Sequence, residues 1–135
     1  ELKSNPGNAY AHFNLGHTMK FIDNAVYKTH VRKAYELNPN YDLALIEAGR
    51  IDKSEGKTND AQIKFKKAYD ILYHKWKTNS LSQCGYGWFT AVAEELGEYD
   101  ILKQVYASIP TLQGEAYYDK ENLSKIRTDL LTSNN

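Results

Sequence analysis

Four histidines and one cysteine are the side chains of this sequence whose chemistry most often builds metal centres or nucleophilic sites. His12, His17, His30 and His74 form no His-Glu-x-x-His arrangement, which would put two imidazoles on one helix face beside a general base. His12 and His17 are five residues apart, a spacing that places them on different faces of a helix. A single cysteine cannot supply a structural zinc site. We therefore expect no metal and no cofactor.

Cys84 lies in the segment with the closest approach to nucleophilic chemistry. Residues 83–89, QCGYGWF, are similar to the segment around the nucleophile of papain-like proteases. In that family the cysteine directly precedes the tryptophan, whereas here Gly87 holds that place and no partner histidine stands out. Glu94 and Glu95 are adjacent in a helical pattern, so they cannot converge on one substrate atom. With no Gly-rich phosphate loop or Gly-x-Ser-x-Gly motif either, the sequence predicts a chain that is not an enzyme.

Charge and length narrow the class of partner. The 135 residues, enough for one domain, carry 17 basic and 17 acidic side chains, so no global field attracts nucleic acid or membranes. No apolar run approaches the ~20 residues of a membrane span. Lysines cluster in residues 57–77 near Tyr73 and Trp76, where they could touch phosphates or RNA. We expect instead the solvated face of an amphipathic helix and no nucleic-acid partner.

Two helical patterns meet across a polar break in residues 42–72, and the rest of the chain is organised around them. The first occupies residues 42–55 and the second residues 59–72, with a Gly-Lys-Thr-Asn break between them. Gly49 and Ala61 are small where two antiparallel helices would cross. The pattern therefore predicts a helix hairpin. Its apolar faces recur at helical spacing, with Leu45, Ala48 and Gly49 on the first helix and Ala61, Phe65, Ala68 and Leu72 on the second.

This hairpin resembles the tetratricopeptide repeat, whose pattern carries a Leu-Gly pair, then Ala-x3-Phe and a second Ala. The matching residues are Ala48-Gly49, Gly56, Ala61, Phe65 and Ala68. An earlier unit matches at Leu15-Gly16, and Gly49 follows Gly16 by 33 residues, against a family unit of roughly 34. The second helix of that earlier unit carries Tyr27 at a position where the family has alanine.

The resemblance implies an all-α fold, a right-handed superhelix of about three helix hairpins with a C-terminal capping helix. We expect one domain over residues 1–135, with units at about 8–39, 40–76 and 81–110 and the capping helix at about 114–131. Individual helices are expected at about 8–21, 24–37, 81–96 and 99–108.

Spacing also predicts one extended helix and a missing neighbour. Gly97 follows Gly56 by 41 residues, so the second helix of the middle unit is expected to run about two turns beyond residue 72. Asn-Pro pairs at 5–6 and 38–39 are expected to mark successive unit boundaries, which makes the chain a fragment of a longer repeat protein.

In the tetratricopeptide family the first helix of each hairpin lines a concave groove. The resemblance therefore implies a non-catalytic scaffold or adaptor that binds a peptide or a partner helix. The residues expected to line the groove mix aromatic, apolar and charged side chains: Tyr10, Phe13, His17, Leu43, Ile46, Arg50, Lys53 and Glu94. Alternatively, Tyr10, Phe13 and Phe21 pack against the missing upstream hairpin.

The sequence also bears on three narrower functions. Family members that grip a chaperone's C-terminal carboxylate use Lys and Asn in the groove, but here Phe13 and His17 stand at the first pair of positions. Glu47 stands at another and would repel a carboxylate, so that class is disfavoured. A regulatory or substrate-docking appendage of a larger enzyme, with its catalytic domain outside this chain, is the alternative to a scaffold. Homo-oligomerisation through exposed ends is the third possibility.

Overall fold

The computed structural model describes residues 8–108, and this part of the chain is entirely helical, as predicted. Its helices are α1 (Ala9–Thr18), α2 (Asn24–Leu37), α3 (Asp42–Ser54), α4 (Thr58–Lys77), α5 (Gln83–Leu96) and α6 (Tyr99–Ser108). The bounds predicted for α2 and α6 agree with the structure, and α4 shows the predicted extension. The helix expected at about 114–131 lies outside the described residues.

The chain divides into two compact units between Leu81 and Ser82. In the first unit α1 packs against α2, α2 against α3 and α3 against α4, and α1 also touches α3. In the second unit α5 packs against α6. Each of the three hairpins therefore has the two-helix form that the sequence predicts.

The end of α1 differs from the prediction, and local hydrogen bonds explain the difference. The helix stops at Thr18 instead of about residue 21, and the N–H groups of Ile22 and Asp23 both bond to the carbonyl of Met19 in a tight turn. Asp23 then caps α2, because its Oδ1 accepts the N–H groups of Ala25 and Val26 at 3.1 and 3.2 Å. Lys20 lies in this turn, and its side chain is 22% exposed.

Two glycines permit the close approach of helices inside the first unit. A Cβ atom on Gly49 would lie 2.6 Å from Cε1 of Phe65, so the phenyl ring of α4 occupies the space that a side chain on α3 would need. A Cβ atom on Gly16 would lie 3.0 Å from both Cγ2 and N of Val31, so α1 also approaches α2 closely at a glycine. The same small-residue device therefore appears in both hairpins.

Buried apolar side chains form the core of each unit. In the first unit they are Val31, Ala34, Leu45, Ala48, Ile51, Ala61, Phe65, Ala68 and Leu72. In the second they are Phe89, Val92 and Ala93 of α5 with Leu102, Val105 and Tyr106 of α6. Phe89, Ala93, Leu102 and Tyr106 are buried, whereas Tyr86 is half-buried.

Candidate binding site

The residues predicted to line a groove separate into buried and accessible ones. Phe13 and Ile46 are 3% and 1% exposed, so both belong to the core and offer almost no surface to a partner. The ring of Phe13 is covered by Tyr41, with centroids 5.3 Å apart, and by His17, with centroids 5.4 Å apart. These contacts explain its burial. Aromatic residues at this end of α1 pack onto the start of α3.

The accessible members of the predicted set lie mainly on α1 and α3. Tyr10 is 63% exposed, with its ring 6.3 Å from that of Tyr41. His17 and Lys53 are exposed, while Leu43 and Arg50 are half-buried. Glu94 is exposed on α5, in the second unit. The first unit alone therefore brings aromatic and cationic groups of the predicted set together.

A carboxylate that the sequence interpretation treated as exposed lies at the centre of this region. Glu47 of α3 is 0% exposed, and both of its oxygens are bonded. Tyr27 donates its hydroxyl proton to Oε1 at 2.6 Å, and Arg50 donates from Nη1 to Oε2 at 2.8 Å. Lys20 places its ammonium 3.2 Å from Oε1, and Nε2 of His17 lies 4.0 Å from Oε2. We call Glu47, Tyr27, Arg50, Lys20 and His17 the Glu47 cluster.

Electrostatics keep this carboxylate ionised. Burial raises the pKa of Glu47, but the hydrogen bond from Tyr27 and the charges of Arg50 and Lys20 outweigh burial and lower the pKa below its ordinary value. The pKa of the Tyr27 hydroxyl is raised, first by burial and then by its bond to Glu47. Tyr27 therefore remains a donor and Glu47 an acceptor.

Two partly exposed cations bond to Glu47. They are Lys20 and Arg50, whose side chains are 22% and 35% exposed. The Lys20 ammonium also lies 5.8 Å from the ring centroid of Tyr27 and 5.5 Å from that of Phe21. Glu47 is buried and bonds to Lys20 and Arg50, so it is not exposed to an approaching ligand. This geometry removes the reason for expecting it to repel a partner's carboxylate.

One member of the Glu47 cluster, Arg50, is close to Glu47 in sequence, whereas Tyr27, Lys20 and His17 reach it from distant parts of the chain. Arg50 follows Glu47 by one helical turn on α3, and Tyr27 lies one turn into α2, beyond the cap formed by Asp23. Tyr27, a large residue where the resembled repeat has alanine, was a signal in the sequence for a contact between α2 and another helix. The Glu-x-x-Arg spacing was a signal for the ion pair within α3.

The lysines of α4 are largely engaged in ion pairs. Lys64 pairs with Asp52 at 2.5 Å and Lys75 with Asp42 at 2.8 Å, both joining α4 to α3. Lys66 and Asp70 pair along the helix at 3.3 Å. Pairing of this kind favours a structural role for the lysine-rich face over a phosphate-binding one.

Comparison of the chain with protein-family models, curated proteins and solved structures finds no match. Within residues 8–108, His, Cys, Asp and Glu side chains nowhere gather in threes as a metal ion would require. Nor does any helix in that range combine the length and apolar character needed to cross a bilayer.

Proposed function

We propose that this chain is a non-catalytic protein-interaction module of the tetratricopeptide-repeat kind, built as a right-handed superhelix of helix hairpins. Its role is that of a scaffold or adaptor that binds a peptide segment or a partner helix. Repetition inside the first unit supports this proposal. Each of its two hairpins sets a glycine of the first helix against a side chain of the second, Gly16 against Val31 and Gly49 against Phe65.

The observation that carries the binding role is the burial of Glu47 beneath Lys20 and Arg50. Cations anchored on a buried carboxylate have already lost much of the side-chain freedom that a surface lysine or arginine loses on binding. Lys20 and Arg50 are 22% and 35% exposed, so a ligand can reach both cations from solvent. Tyr10 adds an exposed aromatic face on the same helix as His17. The partner segment inferred from these groups presents an acidic side chain beside an apolar one.

A selection from displayed random peptides, with the wild-type chain as bait, tests this proposal. We expect enrichment of peptides that hold Asp or Glu near an apolar residue. Arg50→Gln should weaken their binding about tenfold, near 1.4 kcal/mol, because the truncated cation lies at the centre of the site. Lys67→Gln, the same charge change at an exposed position of α4, is the matched control and should leave affinity within about twofold.

Folding and binding are separated by a second variant. Arg50 also bonds to Glu47, so circular dichroism and urea unfolding are measured on each protein before affinity is compared. Tyr10→Ala removes an exposed ring without touching the carboxylate, and we expect weaker binding at unchanged secondary structure. Selected peptides that bind both variants as tightly as the wild type would place the binding surface elsewhere on the chain.

A further inference from the structure

A pair of histidines joins the first two helices. His12 of α1 and His30 of α2 place their Nδ1 atoms 2.9 Å apart. The ring planes differ by 17° and the centroids are 5.2 Å apart. With the Nδ1 atoms 2.9 Å apart, the ring centroids can hardly be farther apart than 5.2 Å. Both Nδ1 atoms therefore lie close to the line that joins the two centroids. The imidazoles therefore meet edge to edge, in the geometry of one N–H···N hydrogen bond.

The number of protons on the two rings determines whether this hydrogen bond can form. In the neutral pair one ring donates its Nδ1–H, and the other accepts at Nδ1 and carries its own proton on Nε2. A proton from solvent can bind at Nε2 of the donor ring, which becomes an imidazolium that still donates to the neutral partner. The acceptor ring has a single lone pair in its plane, and the hydrogen bond uses it. A second added proton must therefore break the bond.

We propose that the His12–His30 pair is a proton-sensitive lock between α1 and α2, which tolerates one added proton and opens when a second one binds. Opening separates two imidazolium rings that would otherwise face each other across 2.9 Å. The lock acts at the first hairpin and does not depend on the identity of any binding partner.

Burial makes the second proton costly. His12 is 7% exposed and His30 is half-buried between helices held together at Gly16. Burial, and next the neighbouring His12, lower the pKa of His30 below its ordinary value. Both effects oppose a doubly charged pair in the folded chain, whereas the unfolded chain protonates each histidine separately.

Other charged groups lie on the three helices α1, α2 and α3. Asp42, Glu47 and Asp52 of α3, which packs on α2, are paired with Lys75, with Lys20 and Arg50, and with Lys64. The pKa of Glu47 is lowered below its ordinary value by the hydrogen bond from Tyr27 and the charges of Arg50 and Lys20, which outweigh burial. The remaining titratable or charged groups on the three helices are Tyr10 and His17 on α1, Tyr27, Lys28, Arg32, Lys33, Tyr35 and Glu36 on α2, and Lys53 on α3.

The distance between the two Nδ1 atoms is right for a shared proton and too short for a bridging metal ion. Imidazole binds Zn²⁺ at about 2.0–2.1 Å, so an ion on the line between two nitrogens would need roughly 4 Å. The observed separation is 2.9 Å. Metal ligation would require both rings to rotate out of the plane that they share.

Two measurements on the full chain test the lock. With ¹⁵N-labelled histidine, NMR at neutral pH should show scalar coupling between the two Nδ1 nuclei. On acidification the first proton should preserve this coupling. Binding of the second should abolish it together with hydrogen-exchange protection at the α1–α2 crossing. Absence of coupling at neutral pH, or two independent titrations near pH 6.5 with the coupling retained, would overturn the proposal.

Urea unfolding as a function of pH gives the second readout. Below about pH 6.5 the two histidines of the unfolded chain together bind up to one proton more than the locked pair does. The unfolding constant should therefore rise by up to about tenfold for each unit by which the pH is lowered. His30→Asn keeps a polar group near the Nδ1 position and should remove this part of the pH dependence. His74→Asn, at an exposed site on α4, should retain the wild-type slope. Equal slopes for wild type and His30→Asn would overturn the proposal, and NMR on the wild-type chain decides it if His30→Asn fails to fold.

Discussion

The hydroxyl of Tyr27 lies 2.6 Å from Oε1 of Glu47 and joins the second helix of the first hairpin to the first helix of the next. Both residues are buried, so the bond is made where water cannot replace it. Tyrosine is long enough to span from α2 to α3, which the alanine of the repeat pattern is not. The residue that departs from the pattern is therefore the one that fixes the buried carboxylate.

Tyr27→Phe should destabilise the chain by about 1.5–3 kcal/mol, because it deletes a hydrogen bond to a buried charge and leaves the ring in place. Urea unfolding at neutral pH measures the loss. Tyr10→Phe is the matched control, since its hydroxyl belongs to an exposed side chain, and should change stability by less than about 0.5 kcal/mol. Equal losses in the two variants would mean that the bond to Glu47 contributes nothing specific.

Glu47→Gln should alter the pH dependence of stability in a defined direction. The folded pKa of Glu47 is lowered, so its contribution is present above the unfolded pKa and is lost as pH falls through the folded one. Glutamine does not titrate. The wild type should exceed the variant by about 2 kcal/mol at neutral pH, and this gap should narrow below about pH 4.5. Unfolding curves collected across that range check it, and a gap independent of pH would contradict the assignment.

Local chemistry made most of the helices predictable. Caps such as Asp23 and the left-handed Gly97 are formed by residues next to the helix ends that they define. Apolar spacing in turn identified the buried faces of the middle hairpin. The same reasoning fails at the end of α1, where Phe21 and Ile22 look like helix interior but lie 92% and 76% exposed in a turn. Periodicity alone cannot tell an apolar turn from another helical turn.

The candidate site was less predictable because its bonds join distant residues. Glu47 is 20 residues from Tyr27, and His12 is 18 residues from His30. Helical periodicity reports which face a residue occupies but not which residue of another helix it meets. Phe13 shows the same limit, since its position on the first helix favoured a groove and its contact with Tyr41 buries it instead.

Gly49→Ala should destabilise the first unit by about 1–3 kcal/mol. Alanine is the better helix former by about 1 kcal/mol, but its methyl group would lie 2.6 Å from a Phe65 ring that is fully buried and has little room to move. Combining Gly49→Ala with Phe65→Leu should show a favourable coupling of about 1 kcal/mol, because the smaller side chain vacates that space. Strict additivity of the two substitutions in urea unfolding would show that the ring is not the obstacle.

Gly56 and Gly97 should respond to substitution through backbone strain alone. Their φ angles are +81° and +73°. Among residues 8–108, an added Cβ atom would meet nothing within 4 Å at Gly56 and only Tyr99 Cε2, at 3.9 Å, at Gly97. Alanine at either position should therefore cost about 1–2 kcal/mol, and asparagine distinctly less, because its side chain tolerates the left-handed region.

Because the two glycines belong to different compact units, amide hydrogen exchange can read each substitution separately. Gly56→Ala should lower protection in α3 and α4, and Gly97→Ala should lower it in α5 and α6. Gly56→Asn and Gly97→Asn are the matched controls, because they also replace glycine but introduce less backbone strain than alanine does. If asparagine costs as much as alanine, strain at positive φ is not the cause. A Gly97→Ala effect that spreads equally to α3 and α4 would instead show that the two units unfold together.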